Sequence, residues 1–355
     1  MMLCNIDKLP KRAALAMRFT LRATLAVVLL FTASISAVAA KDETPILGVC
    51  EHLWGAPTDL IDRTIDAAAA ANLKVIRWDT PWKAVEVEKG KLVVPPLWDY
   101  IVDRARSKGV QSLMILDYGN KHYDQADKPV SPEAIEAFSR YAEFLARHFA
   151  GRVPYFQIWN EWDGRTGNTT PGSARDYARL VSVVYPKIKA VAPDSIVITG
   201  SFDSSAYDSL VGYGNKKRTL DDFLSMRETA VTGDAVAIHP YVVYRNGPMR
   251  SYDGFAQLLT AAVKRIRATP GFERKPIFIT ELGWTTASAH ERGVSESDQK
   301  DYIVRGIKLA KDLGVAAVML YELRDENTNP RDPEGAFGLL RHDWSPKPVY
   351  QSLKR

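Results

Sequence analysis

The sequence predicts an α/β fold, a (β/α)₈ TIM barrel formed by residues 41–355 as a single domain. Strand patterns and helix patterns alternate about eight times after residue 45, and no linker, repeat or low-complexity run interrupts them. A doubly wound open sheet is the main alternative. Such a sheet usually begins with a glycine-rich turn, and none follows Trp54, the end of the first predicted strand.

The elements follow one another from residue 46 to the end of the chain. Strands are predicted at 46–54, 74–82, 111–119, 195–202, 234–242 and 315–322, with the fourth inside 156–164 and the seventh inside 276–284. Helices are predicted at 59–73, 97–108, 132–150, 173–192, 220–231, 254–268, 295–313 and 349–354. Thr58 or Asp59 is expected to cap the first helix, Pro132 to open the third, and Gly314 to stop the seventh.

Residues 1–40 have the order typical of a secretory signal peptide. A basic opening precedes an apolar stretch, 23–40, which ends in small residues immediately before Lys41. The alternative is an uncleaved anchor that associates with the membrane through residues 23–40, since this stretch is nearly long enough to span. The sequence therefore predicts an exported protein in the periplasm or outside the cell, either released or membrane-anchored.

Charge and cysteine content exclude several classes of protein. The leader carries five basic residues and one acid, so the remaining chain has a net charge near +1 and no basic patch for nucleic acid. Only Cys50 remains once the leader and its Cys4 are removed, so neither an internal disulfide nor a cysteine metal site is expected. No nucleotide or metal motif occurs, and a monomer without cofactor or metal is expected.

Two apolar strands each deliver a glutamate to their C-terminal end. Glu161 follows one strand and Glu281 ends the other, and both lie near tryptophans. In a barrel these ends share one face, where such enzymes keep their active sites. Two carboxylates on one face predict glycoside hydrolysis, in which one gives a proton and the other attacks or activates water. The alternative for Glu161 alone is a solvated residue after a strand.

Several motifs resemble the retaining glycoside hydrolases of clan A. The clan has an Asn-Glu pair after strand four and a glutamate after strand seven, which match Asn160, Glu161 and Glu281. Its strand-two arginine matches Arg77, and its His-x-Tyr after strand six matches the run 239–241. The run 77–82, followed by Val-Glu at 85–86 and glycine at 90, is most similar to family 39, including its exopolysaccharide-hydrolase branch; family 5 comes next. A tyrosine occupies position 321 where the clan usually has tryptophan.

The resemblance implies a retaining β-glycosidase that acts on a polysaccharide or oligosaccharide by double displacement. Glu161 is the expected acid/base and Glu281 the expected nucleophile, with their carboxyl groups roughly 5–5.5 Å apart. Tryptophans beside Glu161 and the charge of Glu281 are expected to raise the pKa of Glu161. The alternatives are a catalytically silent glycan-binding barrel and a transglycosylase in the cell envelope.

The neighbouring motif residues have expected supporting roles. Arg77 should keep Glu281 ionised and Tyr241 should donate a hydrogen bond to it, although Arg77 could instead form a buried structural ion pair. Asn160 should bind the sugar 2-hydroxyl. His239 should orient Glu161 or line the site, with a core histidine as the alternative.

Further candidates lie at other predicted strand ends. Trp162 and Trp284 are expected to stack on sugar, because flat rings with a polar edge suit sugar faces. His52 and Tyr321 are further binding or supporting candidates. Weaker candidates for binding hydroxyl groups are Asp117, Tyr118, His122 and Glu322.

Overall fold

Eight parallel strands close into a barrel in this computed structural model, which describes residues 44–214 and 216–354. Each strand pairs with the next along the chain, and the eighth pairs with the first. The predicted (β/α)₈ fold is therefore confirmed. The strands are β1 Ile46–Cys50, β2 Val75–Pro81, β3 Gln111–Asp117, β4 Tyr155–Ile158, β5 Ile196–Thr199, β6 Ala235–Ile238, β7 Ile277–Leu282 and β8 Ala317–Leu320.

Helices surround the barrel at the eight predicted places, and two short helices, 82–85 and 208–211, were not predicted. They are α1 Thr58–Ala70, α2 Trp82–Val85, α3 Pro96–Ser107, α4 Pro132–His148, α5 Ala174–Val191, α6 Asp208–Val211, α7 Thr219–Ser225, α8 Tyr252–Arg267, α9 Glu296–Asp312 and α10 Pro348–Leu353. The expected cap of α1 is wrong, because Pro57 occupies the N-cap position and no side chain caps the helix. Pro132 opens α4 as predicted, and Gly314 follows α9 with a φ of +68°.

Apolar side chains fill both the inside of the barrel and the layer between strands and helices. On β2, Val75 belongs to the inner cluster while Ile76 and Trp78 belong to the outer one, as the alternation of a strand requires. Arg77 and Asp79 therefore share the inner face with Val75 and lie towards its C-terminal end. The fold thus carries polar side chains into the barrel mouth above an apolar floor.

The predicted signal segment, residues 1–40, lies outside the described residues. Within 44–214 and 216–354, no helix is long and apolar enough to cross a membrane.

Candidate active site

Glu161 and Glu281 line one cavity at the C-terminal face of the barrel. Glu161 lies in the loop after β4 and Glu281 near the end of β7. The cavity has a volume of about 610 Å³. A carboxylate oxygen of Glu161 lies within 4.8 Å of one of Glu281. The two acids are therefore close enough to act on a single bond.

The carboxylate of Glu281 is held by an arginine and a tyrosine. Arg77 Nη1 lies 2.9 Å from Oε1, and the Tyr241 hydroxyl donates to Oε2 at 3.0 Å. The same guanidinium donates to Asn160 Oδ1 at 2.8 Å and to Gln157 Oε1 at 3.1 Å. Because the guanidinium fork is planar and is also held by Asn160 and Gln157, it sets the position of Glu281 as well as balancing its charge.

A different pair of groups holds Glu161. The Thr166 hydroxyl donates to Oε2 at 2.8 Å, and His239 Nδ1 lies 3.0 Å from Oε1. His239 is fully buried, and its Nε2 lies 2.8 Å from the Thr280 hydroxyl. If Nε2 accepts from Thr280, Nδ1 carries the proton and donates to Glu161. Thr280 precedes Glu281 on β7, so one strand positions both acids.

The pKa of Glu161 lies below its usual value, contrary to the sequence-based expectation. Burial by itself raises this pKa, but the hydrogen bond and charge of His239, the Thr166 hydroxyl and the Arg77 guanidinium outweigh burial. The tryptophans that were expected to desolvate Glu161 pack in the core instead. The groups around Glu161 therefore favour its carboxylate form.

Asn160 links the two halves of the site. Its Oδ1 accepts from Arg77, and its Nδ2 donates to the Tyr118 hydroxyl at 3.1 Å. Arg77 and Tyr118 line the cavity together with Asn160. The carbonyl oxygen keeps a second lone pair, which suits a bond from a sugar hydroxyl.

His52 and Tyr321 lie next to each other, with ring centroids 6.4 Å apart. His52 Nδ1 lies 2.8 Å from Asp79 Oδ2, and this hydrogen bond is the largest of the effects that raise the pKa of His52 to about 9. Tyr321 meets the ring of Tyr241 edge to face, with centroids 6.4 Å apart. Both residues line the cavity, and contact with a substrate stays a prediction for both.

Trp162 and Trp284 do not line the cavity, so the expectation that they stack on sugar is wrong for this structure. They are 0% and 2% exposed. Trp162 donates to the Ser173 carbonyl at 2.8 Å, while Trp284 packs edge to face on Phe255. The turn after β4 explains Trp162: Trp159 and Glu161 have φ values of +65° and +49°, which turn the chain and direct the indole inward.

The weaker candidates separate into different environments. Tyr118 lines the cavity, whereas Asp117 is buried and Glu322 lies behind the cavity wall without lining it. His122 does not line the cavity, and its Nε2 lies 3.0 Å from the Val87 carbonyl.

Sequence reasoning missed several residues that shape the cavity, above all Asp79 and Thr166. A signal existed for Asp79, because it is two residues after Arg77 on a strand and so shares its face. No comparable signal existed for Thr166, whose position depends on how the loop after β4 folds.

A closed parallel barrel with two neighbouring glutamates at its C-terminal face is the arrangement typical of retaining glycoside hydrolases. Residues 38–323 match the model of the family described as Cellulase (glycosyl hydrolase family 5), and the chain belongs to that family. The resemblance to clan A is confirmed, with family 5, the second of the two families considered, as the one whose model matches.

Solved structures share the fold. A family 39 glycoside hydrolase from Bacteroides cellulosilyticus is 24% identical with a TM-score of 0.69, over 88% of this chain and 64% of that chain. A monomeric β-xylosidase from Caulobacter crescentus is 19% identical with a TM-score of 0.67, over 88% and 68%. A family 5 subfamily 18 protein from Streptomyces cattleya, in complex with GlcNAc, is 15% identical with a TM-score of 0.68, over 88% and 79%. No similar sequence is found among curated proteins.

Proposed function

We propose that this chain is a retaining β-glycosidase that hydrolyses a β-linked oligosaccharide or polysaccharide. The observation that carries the proposal is the separation of the two acids. Retaining enzymes hold their carboxyl groups roughly 5–5.5 Å apart, whereas inverting enzymes need roughly 6.5–9.5 Å to admit water. Oxygens of Glu161 and Glu281 within 4.8 Å of each other support the shorter, retaining arrangement.

In the proposed first step, Glu281 attacks the anomeric carbon while Glu161 protonates the departing glycosidic oxygen. The bond to the leaving group breaks as the bond to Glu281 forms, which gives a covalent glycosyl-enzyme. In the second step Glu161, now a carboxylate, takes a proton from water, and this water displaces Glu281. Thr166 and His239 hold the two oxygens of Glu161 while leaving it in the cavity. Because these contacts favour the carboxylate, which is the form that the second step uses, Glu161 must take up a proton before the first step.

The hydrogen bonds to Glu281 fit a nucleophile. Arg77 and Tyr241 aim its carboxylate and stabilise the charge that returns to it in the second step. Charged and aromatic side chains dominate the cavity wall, which suits a ligand rich in hydroxyl groups. We infer further that the protein is exported and works as a monomer on a carbohydrate outside the cytoplasm, as the order of residues in the leader suggests.

Hydrolysis of a panel of aryl β-glycosides and β-linked polysaccharides tests the proposal, with the anomeric configuration of the first product followed by proton NMR. Retention supports double displacement, and a product of inverted configuration contradicts it. Glu281→Gln should abolish turnover. Glu88→Gln, an exposed acid paired with Lys91, is the matched control and should keep full activity.

Azide separates the roles of the two acids. Glu161→Ala should still react with an activated aryl glycoside, because a good leaving group needs no proton, and azide should then yield a β-glycosyl azide. An α-glycosyl azide from Glu281→Ala identifies Glu281 as the nucleophile as well. If instead Glu281→Ala gives the β-azide, the roles are reversed. Binding without hydrolysis favours the silent barrel, and transfer to added sugar acceptors favours the transglycosylase.

A further inference from the structure

A second cluster of acidic and imidazole side chains lies beside the cavity, outside the proposed catalytic pair. His52, Glu322 and Glu326 each direct one ligand atom into it, and these atoms lie within 4.8 Å of one another. His52 Nε2 is 3.9 Å from Glu326 Oε1. His52 follows β1 and the glutamates follow β8, so the pairing of β1 with β8 brings them together.

Glu322 has a buried carboxyl group that no hydrogen bond satisfies. Its side chain is fully buried, and neither carboxylate oxygen has a hydrogen-bond partner among the described residues. The nearby ammonium of Lys347 is occupied elsewhere, because it donates to Thr286 Oγ1, Asp325 Oδ1 and the Ala336 carbonyl. A buried carboxylate without a partner is costly, so this position calls for a proton or a cation.

A neighbouring acid has a similar environment. Glu51 Oε2 is buried and also lacks a hydrogen-bond partner among residues 44–214 and 216–354. The guanidinium of Arg324 is directed to the His342 carbonyl at 2.9 Å. Glu326 is 46% exposed at its side chain, so the cluster opens to solvent on one side.

The imidazole is oriented as in metal centres. His52 Nδ1 is held by the Asp79 carboxylate at 2.8 Å, which leaves Nε2 directed to the cluster. A carboxylate on one ring nitrogen and a metal on the other is the usual arrangement of a ligating histidine.

We propose that His52 Nε2 and the carboxylates of Glu322 and Glu326 bind one divalent transition-metal cation, zinc or manganese. The donor set decides the class, because calcium takes oxygen ligands alone, whereas imidazole together with carboxylates suits zinc and manganese. The cation takes the place of the protons on Glu322 and on His52 Nε2, which are released when it binds.

The three ligand atoms, which lie within 4.8 Å of one another, must move closer together to bind one ion. Ligands about 2.1 Å from a tetrahedral ion are about 3.4 Å apart, and the exposed Glu326 side chain can close the remaining gap by rotation. Because His52 also lines the cavity, the open coordination position lies next to it. A water or a substrate oxygen can take that position.

Calorimetric titration of the chelator-treated, full-length enzyme with zinc chloride tests the site without any substrate. One equivalent of zinc should bind per chain. Affinity should fall at least about 100-fold in Glu322→Gln and His52→Gln, and by about 10- to 100-fold in Asp79→Asn, which only orients the imidazole. Glu334→Gln, a cavity carboxylate bonded to Tyr244, is the matched control and should bind as wild type.

Cobalt gives an independent readout of ligation. Visible d–d bands should appear on adding cobalt to the wild type and be absent in Glu322→Gln. Circular dichroism without metal shows whether each variant folds, and Gln keeps the shape of Glu322. The rival occupant is the proton: if zinc binds no wild-type site, or if Glu322→Gln binds it equally well, the cluster is neutralised by protonation and the proposal is wrong.

Discussion

Glu161 and Glu281 are the same side chain, and each takes its chemistry from the groups that it contacts. Glu281 meets a permanent cation and a phenol, whereas Glu161 meets an imidazole and a hydroxyl. At the residue scale the two glutamates therefore differ in the groups that contact them. Removing one of these groups at a time should separate the role of the nucleophile from that of the acid/base.

The hydroxyl of Tyr241 should be important for turnover. Tyr241→Phe removes the hydrogen bond to Glu281 Oε2 without changing the ring. A hydrogen bond to a charged group contributes about 1.5–3 kcal/mol, so kcat/KM should fall about 10- to 100-fold. Tyr244→Phe removes a hydroxyl that bonds Glu334 on the cavity rim and is the matched control. Equal losses in the two variants would contradict the role given to Tyr241.

Thr166 should set the alkaline limit of activity. Its hydroxyl helps to hold the pKa of Glu161 below the usual value, so Thr166→Val should raise that pKa. A general acid works only when protonated, and kcat/KM falls as pH rises through its pKa. The alkaline limb of the kcat/KM profile should therefore move to higher pH in Thr166→Val.

A second threonine in the same loop provides the control. The Thr170 hydroxyl bonds Asp127 and not Glu161, so Thr170→Val should leave the limb in place. A limb that stays unchanged in Thr166→Val, or moves equally in both variants, would show that Glu161 is not the group that limits activity at high pH.

At the scale of elements, the end of β4 decides what reaches the cavity. The left-handed conformations of Trp159 and Glu161 break the alternation of the strand, so Glu161 enters the site while the two tryptophans around it pack into the core. Gly172 lies against this packing, since a Cβ there would lie 2.3 Å from Trp162 Nε1.

Trp162 should therefore matter for stability and not for substrate binding. Trp162→Phe loses ring volume and the hydrogen bond to Ser173, at a cost of about 1–3 kcal/mol in the free energy of unfolding. Thermal unfolding should shift to lower temperature while KM stays within about twofold of wild type. Trp54→Phe, at a ring 39% exposed, should unfold as wild type. A large rise in KM with unchanged stability would restore Trp162 as a sugar contact.

Periodicity was enough to predict the eight strands and the eight helices that alternate with them, because the apolar spacing of an element reflects the layer that covers it. It did not predict the short helices α2 and α6, which have only four residues each. The glutamates at the ends of two strands followed from the same pattern. The directions of the tryptophans did not, because they depend on backbone angles at single loop residues. The cluster of His52, Glu322 and Glu326 could not be predicted either, since His52 precedes the two glutamates by about 270 residues and meets them only when β8 pairs with β1.

At the scale of the whole molecule, barrel closure brings together chain segments that are far apart in sequence. The reactivity of the Cys50 thiol is a measure of that closure, because the closed barrel buries it. Cys50 sits on β1 at 3% exposure, with its Sγ 3.6 Å from Arg77 Nη1. Burial raises the pKa of this thiol, and the Arg77 charge offsets only part of that effect. The folded barrel should therefore protect the thiol from reagents that attack thiolates.

Thiol counting tests the fold and the leader together. The full chain has two cysteines, Cys4 and Cys50, and a chain cleaved near Lys41 keeps only the second. Protein recovered from the exported fraction should show one thiol per chain with Ellman's reagent in denaturant, and almost none when folded. Two thiols in denaturant would show that the leader is retained, because Cys4 lies inside it. A single thiol that reacts fully in the folded protein would instead contradict the burial of Cys50 beside Arg77.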